Sequence, residues 1–183
     1  MTERAQHILN HASPADSAAK TGNVLFDLIA AWNNLVSGAT NVVTSAPALA
    51  ISGAGGTAAK TTAAFTAFVD GGVVSVAATT AMTAIAGTLA DTKYAAWAFY
   101  VGPTGTISVS AKAADCTTEA LAIAALPALP ANVAQIGYIT VRNAQGGGTA
   151  FTAGTTHLDA TGIVTTYYNA MPVTLAITTL ANR

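Results

Sequence analysis

The residues that could do chemistry are few and scattered. Gly53-Ala-Gly-Gly-Thr-Ala58 fits the loose GxGxxA form of a dinucleotide-binding turn and follows a strand-like stretch, Ala48–Ile51. Such a turn holds a pyrophosphate only where a helix begins at it, with amide N–H groups aimed at the phosphates. Here the chain continues Thr-rich into β alternation, and Asp70 stands too close to serve as the ribose acid expected about twenty positions on. The spacing predicts a glycine loop between strands. His157 and Asp159, two apart, could project from one face of an extended segment. All eight Ser residues precede residue 111, and no GxSxG elbow occurs, so a Ser/His/Asp triad has no local support. Asp159 with the following Ala-Thr-Gly reads as a turn whose carboxylate accepts from backbone amides.

Glu3, His7 and His11 would share one face of a helix and could approach a metal, but they stand in a polar arm without supporting residues. The single Cys116 follows Asp115, whose charge disfavours a thiolate, and one cysteine can form neither an internal disulfide nor a cysteine-only zinc site. With eight Asp and Glu in total, acid/base pairs are scarce. The expectation is a protein without catalytic residues, bound metal or cofactor.

The composition narrows the class further. The chain has 183 residues, a formal net charge of -1, and 8% charged residues, against roughly 25% in an average soluble domain. Ala (43) and Thr (28) dominate, so the 52% hydrophobic content is largely methyl groups. Without a basic excess, binding to a nucleic-acid backbone is not expected. The uncharged run from Gly71 to Ala90 reaches spanning length, but its Thr, Ser and Gly argue against a membrane helix. The polar start lacks the apolar run of a signal peptide.

The elements follow from periodicity. Leu25, Leu28, Trp32 and Leu35 recur at three, four and three, and Thr21 and Ala18 continue the register backwards. That is an a/d seam on a helix over 21–37, stopped by Gly38. The seam either packs on its own domain or pairs copies of the chain. From about Pro47 the period becomes two. Tyr94–Val101 points Ala95, Trp97, Phe99 and Val101 one way, and Gly102-Pro-Thr-Gly105 turns it into a strand with Ile107 and Val109 inward. Phe65–Val69 and Val73–Ala77 form a second hairpin; Ile136–Val141 and Val173–Thr178 are further strands. Thr117–Leu126 favours a short helix ended by Pro127 and Pro130. The chain therefore divides into an arm and amphipathic helix over 1–45 and a β-rich domain over 46–183. The predicted fold class is mainly β: an N-terminal helix followed by an antiparallel β sandwich or barrel.

Tyr94-Ala-Ala-Trp97, Leu126-Pro-Ala-Leu-Pro130, Gln135-Ile-Gly-Tyr-Ile-Thr-Val141, Phe151-Thr-Ala-Gly-Thr-Thr-His-Leu-Asp-Ala160 and Thr166-Tyr-Tyr-Asn169 carry a likeness. Over roughly residues 90 to 170 the chain resembles structural proteins of tailed-bacteriophage particles, of the head decoration, head-fibre or tail-fibre kind. The resemblance implies a non-enzymatic capsid accessory protein. It would bind the major capsid protein on the outer surface of the virion as a homo-oligomer, a trimer, after synthesis in the host cytoplasm. Leu25, Leu28, Trp32 and Leu35 would then be the oligomerisation residues. Low charge independently suits large buried interfaces. The alternative is a fibre or spike protein binding a host-surface ligand through exposed aromatics such as Tyr167 and Tyr168. Alternation along a strand would instead put one of those rings in the core and one out. The chain is short for a fibre and lacks shaft repeats.

Overall fold

The computed structural model describes residues 41–79 and 82–171. The helix predicted over 21–37, the histidines of the N-terminal arm and the strand predicted at Val173–Thr178 lie outside them. The described residues belong to one unit that runs from residue 40 onward. It is mainly β, in several antiparallel sheets. In chain order the strands are β1 (Val42–Val43), β2 (Leu49–Ile51), β3 (Ala59–Thr61), β4 (Phe65–Val69), β5 (Gly72–Val76), β6 (Thr88–Leu89), β7 (Tyr94–Val101) and β8 (Ile107–Val109). A short helix α1 (Glu119–Ala124) precedes β9 (Ala134–Asn143), β10 (Phe151–Thr152) and β11 (Ile163–Asn169). A four-stranded sheet has the order β11-β9-β7-β8 and a three-stranded sheet the order β1-β4-β5, while β2 pairs with β3 and β10 with β6.

The four-stranded sheet follows from alternation. Ala95, Trp97, Phe99 and Val101 of β7 are fully buried on its inner face, as their period predicts. Opposite them on β9 stand Val141, Ile139, Gly137 and Ala134. The numbering parity of the inward residues changes within β9, from Ala134 and Ile136 to Ile139, Val141 and Asn143. The change occurs at a bulge: Phe99 pairs with Gly137 and Tyr100 with Gln135, so β9 carries one extra residue. Without it, one half of β9 would present its apolar set to the wrong face. Gly137 sits there at φ 153°. Its missing side chain lets the Tyr168 carbonyl and Leu49 come close.

These residues share one core with Phe65, Ala67 and Val69 of β4, with Val43 and Val74, and with Leu89 and Phe151 of the small β6–β10 pair. The Trp97 indole N–H donates to the Ala86 carbonyl at 3.0 Å, and its ring meets Phe151 edge-on at 6.4 Å. Asn143 is fully buried. Its Nδ2 donates to the carbonyls of Leu89 (3.2 Å) and Thr149 (2.8 Å), and its Oδ1 accepts from the Gln145 amide. These bonds close an otherwise costly buried amide and fix the β9–β10 loop. Asp91 completes that loop by accepting from the Gly146 and Gly148 amides.

The hairpins read from the sequence are present with small shifts. The turn of the β4–β5 hairpin is Asp70-Gly71 alone, both at positive φ (50° and 77°), so Gly72 already belongs to β5. The Gly105 amide donates to the Gly102 carbonyl at 3.0 Å, closing the turn around Pro103. The helix predicted in Thr117–Leu126 is α1; Thr118 caps it, its hydroxyl accepting from the Leu121 amide at 3.3 Å. α1 covers the outer face of β7, where Ala96 clusters with Ala113 and Ala122. Small side chains at Ala96 and Ala98 leave room for that layer. β11 forms without a sustained apolar run, since Thr165 and Thr166 interrupt its apolar residues.

Candidate functional site

Two of the sequence motifs meet. The Gly53–Ala58 loop connects β2 to β3, and no helix begins at it. Its Gly55 amide donates to Asp159 Oδ2 at 2.8 Å, and the Leu158 amide donates to the Gly56 carbonyl at 2.9 Å. A Cβ on Gly55 would lie 3.3 Å from the His157 imidazole, so the ring rests against the loop backbone. The Asp159 carboxylate does accept from a backbone amide, but one 104 residues away rather than in its own turn. Leu158 between them is buried in the core. The junction is a clasp that ties the β2–β3 loop to the segment ahead of β11.

Tyr167 belongs to the same region. It is half-buried against the core, whereas Tyr168 faces outward, as alternation requires. Burial, with the Asp159 charge nearby, pushes the Tyr167 hydroxyl up to about 12. A raised tyrosine keeps its proton in the folded state after the unfolded chain has lost it. Stability is therefore unaffected below the usual tyrosine value near 10 and falls as pH rises towards 12. Thermal unfolding of Tyr167→Phe and the parent at pH 8 and pH 11 should show a smaller alkaline loss in the variant.

The more extended feature is the outer face of the four-stranded sheet. Register places Tyr94, Arg142 and Val164 in one row, Ala96, Thr140 and Thr166 in the next, and Ala98, Tyr138 and Tyr168 in the third. The Tyr138 and Tyr168 rings stack, with centroids 4.7 Å apart and planes at 16°. The Tyr168 hydroxyl donates to Glu119 Oε1 at 2.9 Å, and Thr140 Oγ1 donates to the same oxygen at 2.5 Å. The hydrogen bond to Glu119, with a smaller effect of burial, raises the Tyr168 hydroxyl above its usual value. Glu119 lies in the first turn of α1, where a carboxylate is favoured, so one acid both starts the helix and pins it to the sheet. At the other end the Arg142 guanidinium stands 5.7 Å from the Tyr94 ring centroid. Val164 beside it is 54% exposed. The tyrosine rings and the guanidinium of this face are residue types enriched where proteins bind proteins.

Cys116 is half-buried, and its thiol points to the Ala114 carbonyl at 3.3 Å. Burial acts to raise the Asp115 carboxyl, but the Lys112 ion pair and the Ala90 amide outweigh it and hold the carboxyl below its usual value. Among the described residues no group of three or more His, Cys, Asp and Glu is placed to hold a metal, and no helix is long and apolar enough to cross a membrane. The seam residues Leu25, Leu28, Trp32 and Leu35 lie outside the described residues. Glu119, Thr140 and Tyr138 escaped the sequence reading; continuing the alternation of β9 past Ile139 would have put Tyr138, Thr140 and Arg142 on one face. No protein-family model, curated protein or solved structure matches the chain.

Proposed function

We propose that this chain is a structural protein of a tailed-bacteriophage particle. In this reading it is a head decoration, or cement, protein that binds the outer capsid surface as a homotrimer and stabilises the head. Its role is contact rather than catalysis. An N-terminal helix carrying Leu25, Leu28, Trp32 and Leu35 gathers the copies, and a β sandwich presents the capsid-binding face. The observation that carries the reading is the placement of the segments that resemble virion proteins. Tyr94–Trp97, Gln135–Val141 and Thr166–Asn169 lie on neighbouring strands of one sheet; α1 covers the Ala96–Thr140 row of their outer face, and beside it Arg142 and Val164 are exposed and Tyr94, Tyr138 and Tyr168 half-buried. Many identical copies on a lattice would turn a modest contact of this kind into firm attachment.

The test is co-sedimentation of the full chain with shells assembled from the major capsid protein of the same genome. Saturable binding at a fixed ratio is expected, weakened at least tenfold by Arg142→Glu. A chain that stays in the supernatant at every concentration would contradict the reading. The stacked, outward Tyr138–Tyr168 pair favours one second reading, a fibre or spike protein whose aromatic face holds a host-surface ligand. That reading expects binding to host cells and none to shells.

A further inference from the structure

We infer that β5 is a homotypic interface, along which two copies of this chain pair antiparallel and join their three-stranded sheets into one. Among the described residues β5 is an edge strand, hydrogen-bonded to β4 alone. The two-residue turn Asp70-Gly71 makes Val69 and Gly72 a bonded pair, so Gly72, Val74 and Val76 turn their backbone groups towards β4. Val73 and Ser75 turn theirs outward, and among the described residues no backbone group meets them. Natural edges are guarded by charge, proline or a bulge. β5 has none of these, and it opens the uncharged run from Gly71 to Ala90. At the other long edge, β11, side chains bond neighbouring segments: the Asn169 side chain accepts from the Leu49 amide at 2.7 Å, and Thr165 Oγ1 donates to the Leu158 carbonyl at 2.8 Å.

The surface beside this edge complements itself. Val73 is 74% exposed and stands in an outer row with Phe68 and Val42. Two residues along, an open groove of about 410 Å³ is lined by Ser45, Thr66, Ser75, Val76 and Ala77, among others. Antiparallel pairing about a two-fold axis at Val74 sets Val73 of each copy opposite Ser75 of the other. Each exposed valine then arrives beside the other copy's groove, while the outward N–H and C=O groups of Val73 and Ser75 bond across. Such an interface is isologous, the same patch used twice. No charge stands on either strand, so like copies meet without repulsion. This pairing is independent of the virion reading and of the Leu28 seam, and would link whatever assemblies the seam makes.

Light scattering of the full chain tests it. Val73→Lys is expected to halve the mass found for the parent at the same concentration, and Ser75→Lys to do the same, with unchanged near-UV circular dichroism. Hydrogen exchange on the parent protein gives a second measurement, in which the Val73 and Ser75 amides slow as concentration rises. Leu28→Asn should leave that protection in place. Folded variants of unchanged mass, or exchange at those amides that ignores concentration, would overturn the inference.

Discussion

Gly137→Ala is expected to destabilise the β domain by about 3 kcal/mol or more, the sum of backbone strain and forced repacking. The residue stands at φ 153°, outside the ordinary range of L side chains. An added Cβ would collide with the Tyr168 carbonyl oxygen and lie 2.5 Å from Leu49 Cδ1. The carbonyl belongs to the neighbouring strand β11 and cannot swing aside without breaking the β9–β11 ladder. The consequence reaches the candidate face, because the bulge at Gly137 sets which side of β9 carries Tyr138, Thr140 and Arg142. Urea unfolding gives the loss, and loss of the Tyr138–Tyr168 stacking signal in near-UV circular dichroism reports the face. A folded variant of parental stability would show that the strand accommodates a side chain there.

Trp97→Ala is expected to cost about 3 to 5 kcal/mol, the range for emptying a large aromatic site. Trp97 is the largest fully buried side chain among the described residues. Its loss opens a cavity between β7 and Phe151 and leaves the Ala86 carbonyl without the indole donor. The free energy of a domain of this size is about 5 to 15 kcal/mol. This one substitution therefore consumes a large share of it. Trp97→Phe fills most of the volume and loses mainly the hydrogen bond, so its cost should fall nearer 1 to 3 kcal/mol, roughly. Urea midpoints of the two variants separate packing from bonding; equal midpoints would mean that the indole N–H, rather than the ring, holds the site.

How much of this was legible depends on sequence separation. β7 could be read because Ala95, Trp97, Phe99 and Val101 repeat at two within one short window. The glycine loop between β2 and β3 could be read because no helix-forming run follows Gly56. The partner of Asp159 could not, since Gly55 is 104 residues away and nothing local marks it. Thr140 reads as a solvent-facing strand residue yet is buried, because α1 covers that face and supplies Glu119 as its acceptor. An isolated glycine inside an apolar strand was the available sign of the bulge at Gly137. The uncharged run from Gly71 raised the question of a membrane, and it folds in part as an open edge strand.

The proposed role rests on attachment of many copies to a capsid exterior. Electron cryomicroscopy of shells assembled from the major capsid protein of the same genome, incubated with the full chain, is the most direct measurement. Added density at regularly repeated positions on the outer surface, with β-sheet features of this domain, is the expected result. Shells that stay bare at saturating protein would contradict it.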